Sequence, residues 1–77
     1  MISVRVFVNA RGYDVPTTAT ALDAVRTADA TDGEAVVAGT RLITDSRGLP
    51  VAPETPAYGG VIYRTVANRV RDDGAAS

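Results

Sequence analysis

Carboxylates are the only side chains in this sequence that could shuttle a proton near neutral pH. It carries nine Asp and Glu residues and eight Arg, with no Lys, His or Cys. Disulfides, thiolate or imidazole metal sites, Cys nucleophiles and His-based triads are therefore excluded within the chain. The acids are not spaced for catalysis either. Asp72 and Asp73 are adjacent in a small-residue end, where nothing sets their pKa values apart as an acid–base pair requires. Asp45 opens Asp45-Ser46-Arg47-Gly48 and reads as the cap of a loop. Neither the Asp-x-Asp-x-Asp-Gly spacing of a calcium loop nor a Gly-x-x-x-x-Gly-Lys or Gly-x-Gly-x-x-Gly phosphate cradle occurs, and Gly59-Gly60 belongs to none of them. The sequence predicts no catalytic residue, no metal and no cofactor.

Tyr58 and Tyr63, with scattered Arg, are residue types that stack on single-stranded bases. The charge argues against nucleic acid. Residues 1–38 hold three Arg and five acids (3 − 5 = −2), residues 39–77 five Arg and four acids (5 − 4 = +1), and the net charge is −1. Core or surface packing is the better reading of both tyrosines. Apolar runs fall far short of the ~20 residues that cross a bilayer. The start, MISVRVFVNA, alternates instead of forming an apolar block, so it does not read as a signal peptide. A cytoplasmic protein without a membrane partner is the expectation.

At 77 residues and 8.0 kDa the chain buries roughly 60% of its unfolded surface, enough for one small core. Ile2, Val4, Val6 and Val8 alternate with Ser3, Arg5, Phe7 and Asn9, the period of a half-buried strand with its Ile/Val side inward. Asn9-Ala10-Arg11-Gly12 predicts a turn, with Gly12 at a positive φ, and Tyr13 and Val15 a return strand closed by Pro16. A helix follows over Thr17 to Ala30. Thr20 is its cap and Asp23 completes a capping box; Leu22, Val25 and Ala28 form the apolar stripe beside Ala21 and Ala24; Arg26 and Asp29 make a surface pair. Thr31-Asp32-Gly33 reads as the helix stop. Ala35 to Ala38 and Arg41 to Thr44 read as a strand-turn-strand about Gly39, or as one bulged strand. A loop with Pro50, Pro53 and Pro56 leads through Tyr58-Gly59-Gly60 into a last strand, Val61 to Val66. Residues 1–66 form the single domain, and 67–77 a tail that is frayed or a marginal helical turn.

One helix laid on one face of a mixed sheet buries these residues economically, with the returning last strand parallel to the first at the sheet's centre. If Val4, Val6 and Val8 face the helix, Arg5 and Phe7 face away from it. On the last strand, Ile62, Arg64 and Val66 share a face, and Arg64 is not expected to be buried. The five residues Arg5, Phe7, Ile62, Arg64 and Val66 then form an apolar patch with a basic edge, a composition that marks protein interfaces. Two coverings stay open: a protein partner, or the chain itself through Val70 or a second copy.

Order and residues together resemble the β-grasp (ubiquitin-like) fold, an α+β architecture of a mixed four- to five-stranded sheet with one helix on one face. The chain is similar to ThiS/MoaD-type sulfur carriers in length and in its opening hairpin. It also resembles TGS domains through Val6-Phe7, Gly12, Pro16, Ala19-Thr20-Ala21-Leu22-Asp23, Ala35 to Gly39, Thr55-Pro56 and Gly60-Val61-Ile62, a likeness that spans roughly residues 2 to 66. The resemblance implies partners on the open sheet face. For a sulfur carrier it implies an activating enzyme acting on a C-terminal Gly-Gly; for a TGS domain, a nucleotide or RNA contact. This chain departs at that end, which reads Asp72-Asp73-Gly74-Ala75-Ala76-Ser77. Its Gly59-Gly60 pair precedes the last strand, where it is a turn. The function expected is a non-catalytic protein-binding β-grasp domain, with an atypical sulfur carrier and a TGS-like ligand or RNA module as the other readings.

Overall fold

The computed structural model describes residues 2–68. In chain order these form β1 (Ser3–Val8), β2 (Arg11–Pro16), α1 (Ala21–Ala28), α2 (Ala30–Ala38), β3 (Arg41–Thr44), β4 (Pro50–Val51) and β5 (Ile62–Ala67). The described residues form an α+β domain, a five-stranded mixed sheet in the order β2-β1-β5-β3-β4 with two helices. β1 and β5 are parallel neighbours, as expected, with Phe7 beside Ile62 and Val8 beside Tyr63. Every other pairing is antiparallel.

The alternation of β1 does what its period requires: Val6 and Val8 are buried and Val4 half-buried. Ile2 departs from it, preceding the strand and lying 75% exposed. The hairpin turn is also tighter than expected. Val8 pairs with Arg11, so the turn is Asn9-Ala10 alone, with φ of 51° and 74°. Two left-handed residues match the twist of the flanking strands. Asn tolerates that region and Ala pays for it in strain. Gly12 is not in the turn but within β2, opposite Phe7.

The largest correction concerns the helices. α1 begins with the expected capping box: the Asp23 N–H donates to Thr20 Oγ1 (3.2 Å), and the Thr20 N–H donates to the Asp23 carboxylate (3.1 Å). Its other first-turn N–H groups are met by the proline loop, Ala21 donating to the Thr55 carbonyl and Leu22 to that of Pro53. α1 ends at Asp29, whose extended backbone (φ −160°, ψ 112°) breaks the helix. The Asp29 carboxylate then accepts from the Thr31 and Asp32 N–H groups and starts α2. It therefore caps a helix, where a surface pair with Arg26 was expected. The stop assigned to Thr31-Asp32-Gly33 is inside α2, and the strand expected at Ala35 to Ala38 is its last turn. Gly39, at φ 87°, ends α2, with the Thr40 N–H closing onto the Ala35 carbonyl. The domain thus has two helices where the sequence predicted one.

Gly33 has a packing reason to be glycine. A Cβ placed there would stand 2.4 Å from Arg26 Cγ and 3.3 Å from Arg26 Cα, so α1 and α2 meet closely at this point. The core lies between helices and sheet: Val6, Val8, Val15, Ala21, Ala24, Val25, Ile43 and Tyr63 are almost wholly buried. Small residues on α1 allow that approach, as the Ala-rich stripe suggested. β4, a two-residue strand beside β3, was legible only as an extended proline segment. β5 runs one residue later than predicted, over residues 62–67. The expected tail from Arg69 onward lies outside the described residues.

Helix propensity alone favours Ala over Gly by about 1 kcal/mol in a helix interior. Contact with Arg26 reverses that sign. Gly33→Ala is expected to lower stability by about 1–2 kcal/mol, because forcing a methyl into packed contact costs ~1–3 kcal/mol. Urea denaturation followed by circular dichroism reads it; a stabilised variant would show that the helices are not in contact here.

Candidate functional site

Two places carry candidate functional side chains: the open face of the sheet and a polar junction at the end of β5. The face opposite the helices receives the five residues predicted for it, though not as a single basic-edged patch. Phe7 and Ile62 are side by side in the β1–β5 register. Ile62 and Val66 are 42% and 39% exposed. Arg64 stands between them on β5, exposed, and its side chain makes no hydrogen bond or ion pair among the described residues. Arg5 lies on the other side of the Phe7–Ile62 pair, four residues of strand from the level of Arg64, about 13 Å at strand rise. Its Nε binds Asp14 Oδ1 at 3.1 Å, so its charge is largely answered within the chain. Gly12 lies beneath both side chains: its missing Cβ would be 3.1 Å from Arg5 Nη1 and 3.3 Å from Phe7 Cε2. Phe7 is half-buried by this arrangement.

Leu42 joins this face and was not foreseen. It is opposite Val66 in the β3–β5 pairing and half-buried. Had Arg41 to Thr44 been placed next to β5, its register would have found it. Val70, the expected self-covering residue, lies outside the described residues, as do Asp72, Asp73 and Ser77.

The polar junction has no local signal in the sequence. β1 turns away from β5 at Asn9, and the Asn9 side chain continues the ladder that the backbone leaves. Its Oδ1 accepts from the Thr65 N–H (3.1 Å) and its Nδ2 donates to Thr65 Oγ1 (3.0 Å). Thr65 Oγ1 in turn donates to Asp32 Oδ2 on α2 (3.0 Å). Arg41 closes the group, Nη2 donating to the Thr65 carbonyl at 3.0 Å while Nε faces Asp32 Oδ1 at 3.5 Å. Beside it a shallow cleft of about 210 Å³ opens between the hairpin and the helix junction, lined by Asn9, Arg11, Tyr13, Asp29 and Asp32 among others. Both carboxylates are already engaged, Asp29 by the N-terminus of α2 and Asp32 by Thr65 and Arg41. The arrangement can clamp three elements together; it offers no free acid–base pair.

The remaining candidates resolve simply. Asp45 caps its loop as expected, accepting from the Arg47 and Leu49 N–H groups at 2.8 and 3.0 Å. The Leu49 N–H above all, opposed by desolvation and helped by the Arg47 N–H and guanidinium, holds its carboxyl below the usual value. Tyr63 is 1% exposed and cannot stack on a base together with the exposed Tyr58. Burial pushes its phenol upward, and its hydroxyl has no hydrogen-bond partner among the described residues. Gly59-Gly60 forms the turn before β5, with Gly60 at φ 87° and its N–H on the Arg5 carbonyl. Among the described residues no group of three or more acids is placed to hold a metal, and no helix is long and apolar enough to cross a membrane. In comparisons with known proteins, no family model, no curated protein and no solved structure matches the chain.

Thr65 is the hub of the junction. Thr65→Val keeps the shape and removes the hydroxyl, leaving Asn9 Nδ2 and Asp32 Oδ2 each one partner short. A loss of about 1–3 kcal/mol is expected from unpaired, partly buried polar groups, read by urea denaturation. Thr65→Ser, which keeps the hydroxyl, should lose less; a neutral Thr65→Val would show that the cluster does not clamp the fold.

Proposed function

We propose that this chain is a β-grasp domain that acts in the cytoplasm without catalysis, by binding a protein partner through its open sheet face. The sheet order supports the fold reading: a hairpin, a helical crossover, and a last strand returning parallel to the first at the centre. The surface reading rests on one observation. Ile62 and Val66, each about two-fifths exposed, flank Arg64, whose guanidinium has no partner among the described residues. Phe7 and Leu42 extend the apolar area on either side, along the cross-strand pairs Phe7–Ile62 and Leu42–Val66.

An Arg between exposed aliphatics suits a partner that presents an apolar ridge with a carboxylate. Arg contributes both charge and a stem that packs, and such residues recur among the few that dominate interface energy. The engaged carboxylates of the junction support a non-catalytic reading, since none is left free to tune. No observation favours the sulfur-carrier reading over this one: the Gly-Gly pair is in a turn, and the end of the chain lies outside the described residues.

The test compares partners captured by the full chain and by two variants in extract of the native host. Ile62→Ser/Arg64→Glu should reduce recovery of the specific partner at least ~10-fold, the loss expected from removing one hot-spot residue. Val37→Ser, on the exposed side of α2, should leave it unchanged. Because Ile62 is already partly exposed, the face variant should cost less than about 2 kcal/mol in stability. Equal recovery by both variants, or collapse of the folded state in the first, would contradict the assignment.

A further inference from the structure

The two edges of the sheet differ. β4 is two residues long and starts with Pro50, which has no N–H to offer. β2 presents six residues along the opposite edge. On β1, the Phe7 and Asn9 N–H groups donate to the Val61 and Tyr63 carbonyls, so Val4, Val6 and Val8 turn their backbone toward β2. Their partners there, Val15, Tyr13 and Arg11, pair inward. Gly12 and Asp14 therefore direct N–H and C=O off the sheet, and neither backbone has a partner in that direction among the described residues.

The side chains along this edge are self-complementary. The Arg5 guanidinium binds Asp14 through Nε at 3.1 Å and at the same time lies over Gly12, whose absent Cβ would be 3.1 Å from Nη1. A strand laid against β2 would find, opposite Gly12, side-chain space beside a guanidinium. Asp14 of an identical strand is a residue that fits it.

We propose that β2 pairs antiparallel with β2 of a second copy of this chain, with Gly12 of each opposite Asp14 of the other and both Tyr13 residues on the twofold axis. In that register the outward N–H and C=O of Gly12 and Asp14 are all used, in two reciprocal hydrogen-bonded pairs. The Asp14 carboxylate of each copy comes beside the Arg5 guanidinium of the other, turning two exposed ion pairs into one four-charge network. The half-buried Tyr13 meets its counterpart at the close spacing of a non-hydrogen-bonded pair, where aromatic side chains stabilise a sheet. The contact is isologous and consumes the edge, so it closes at two copies. It also leaves the open faces of both copies free on one continuous sheet.

A contact this small belongs with weak associations, so the full chain should be studied up to about 1 mM by sedimentation equilibrium, with amide exchange read by NMR. The expected result is a monomer–dimer equilibrium, with exchange of the Gly12 and Asp14 amides slowing at least ~10-fold between dilute and concentrated samples. Gly12→Pro removes an outward N–H and adds ring atoms that displace only the flexible ends of Arg5 and Phe7, so it should abolish the dimer with the monomer still folded. Asp14→Arg should abolish it as well, by setting like charges against Arg5. The exchanged pair Arg5→Asp/Asp14→Arg should restore it, a readout that does not depend on tolerance of proline. A monomer at the highest concentration, a dimer indifferent to these substitutions, or no recovery in the exchanged pair would overturn the proposal.

Discussion

β5 has a strand on each side, and that placement sets the rest of the molecule. Toward β1 it is joined by a short parallel register and by the Phe7 and Asn9 N–H groups reaching the Val61 and Tyr63 carbonyls, at 2.9 and 3.0 Å. Toward β3 it is antiparallel over four residue pairs. Period-two alternation then divides its side chains without ambiguity. Tyr63 and Thr65 go inward, to the core and the polar junction; Ile62, Arg64 and Val66 go outward. A one-residue slip would bury an unpaired arginine and expose Tyr63, both costly, so the outward set follows directly from the inward one.

The parallel contact is short, and side chains compensate for its length. Where β1 turns away, the Asn9 amide takes the place of a main-chain partner for Thr65, and Asp32 and Arg41 fasten that point to α2 and β3. The proline loop does similar work at the other end, carrying carbonyls to the first turn of α1. These polar contacts locate elements whose apolar packing alone, built from many Val and Ala side chains, leaves free to slide. Such networks add specificity when every member is satisfied. The buried Tyr63 hydroxyl and Arg41 Nε, which lack a hydrogen bond among the described residues, are the exceptions.

Much of this was legible in the residues. The Val4, Val6, Val8 alternation of β1, the Thr20–Asp23 capping box, the Asp45 loop and the division of faces on β5 are local patterns that have their expected form, with Ile2 the exception. The second helix was not legible, for a physical reason. Ala35 to Ala38 has no periodicity to distinguish strand from helix, and Gly33 looks like a stop until Arg26 of α1 is known to lie against it. The hairpin misled similarly: a Gly invites the turn, whereas Asn9-Ala10 makes it and Gly12 serves Phe7 and Arg5. The polar junction joins residues up to 56 positions apart, and nothing in local spacing announces it. Of the open face, the five residues were found on β1 and β5, while Leu42 needed the β3 register and the Asp14 partner of Arg5 needed that of β2.

β5 divides its side chains between a covered and an uncovered face. Methyl and aromatic NMR of the full chain with a soluble paramagnetic agent tests it most directly. Strong broadening of the Ile62 and Val66 methyls is expected, with Tyr63 and Val8 spared. Protected Ile62 and Val66, or a broadened Tyr63 ring, would contradict it.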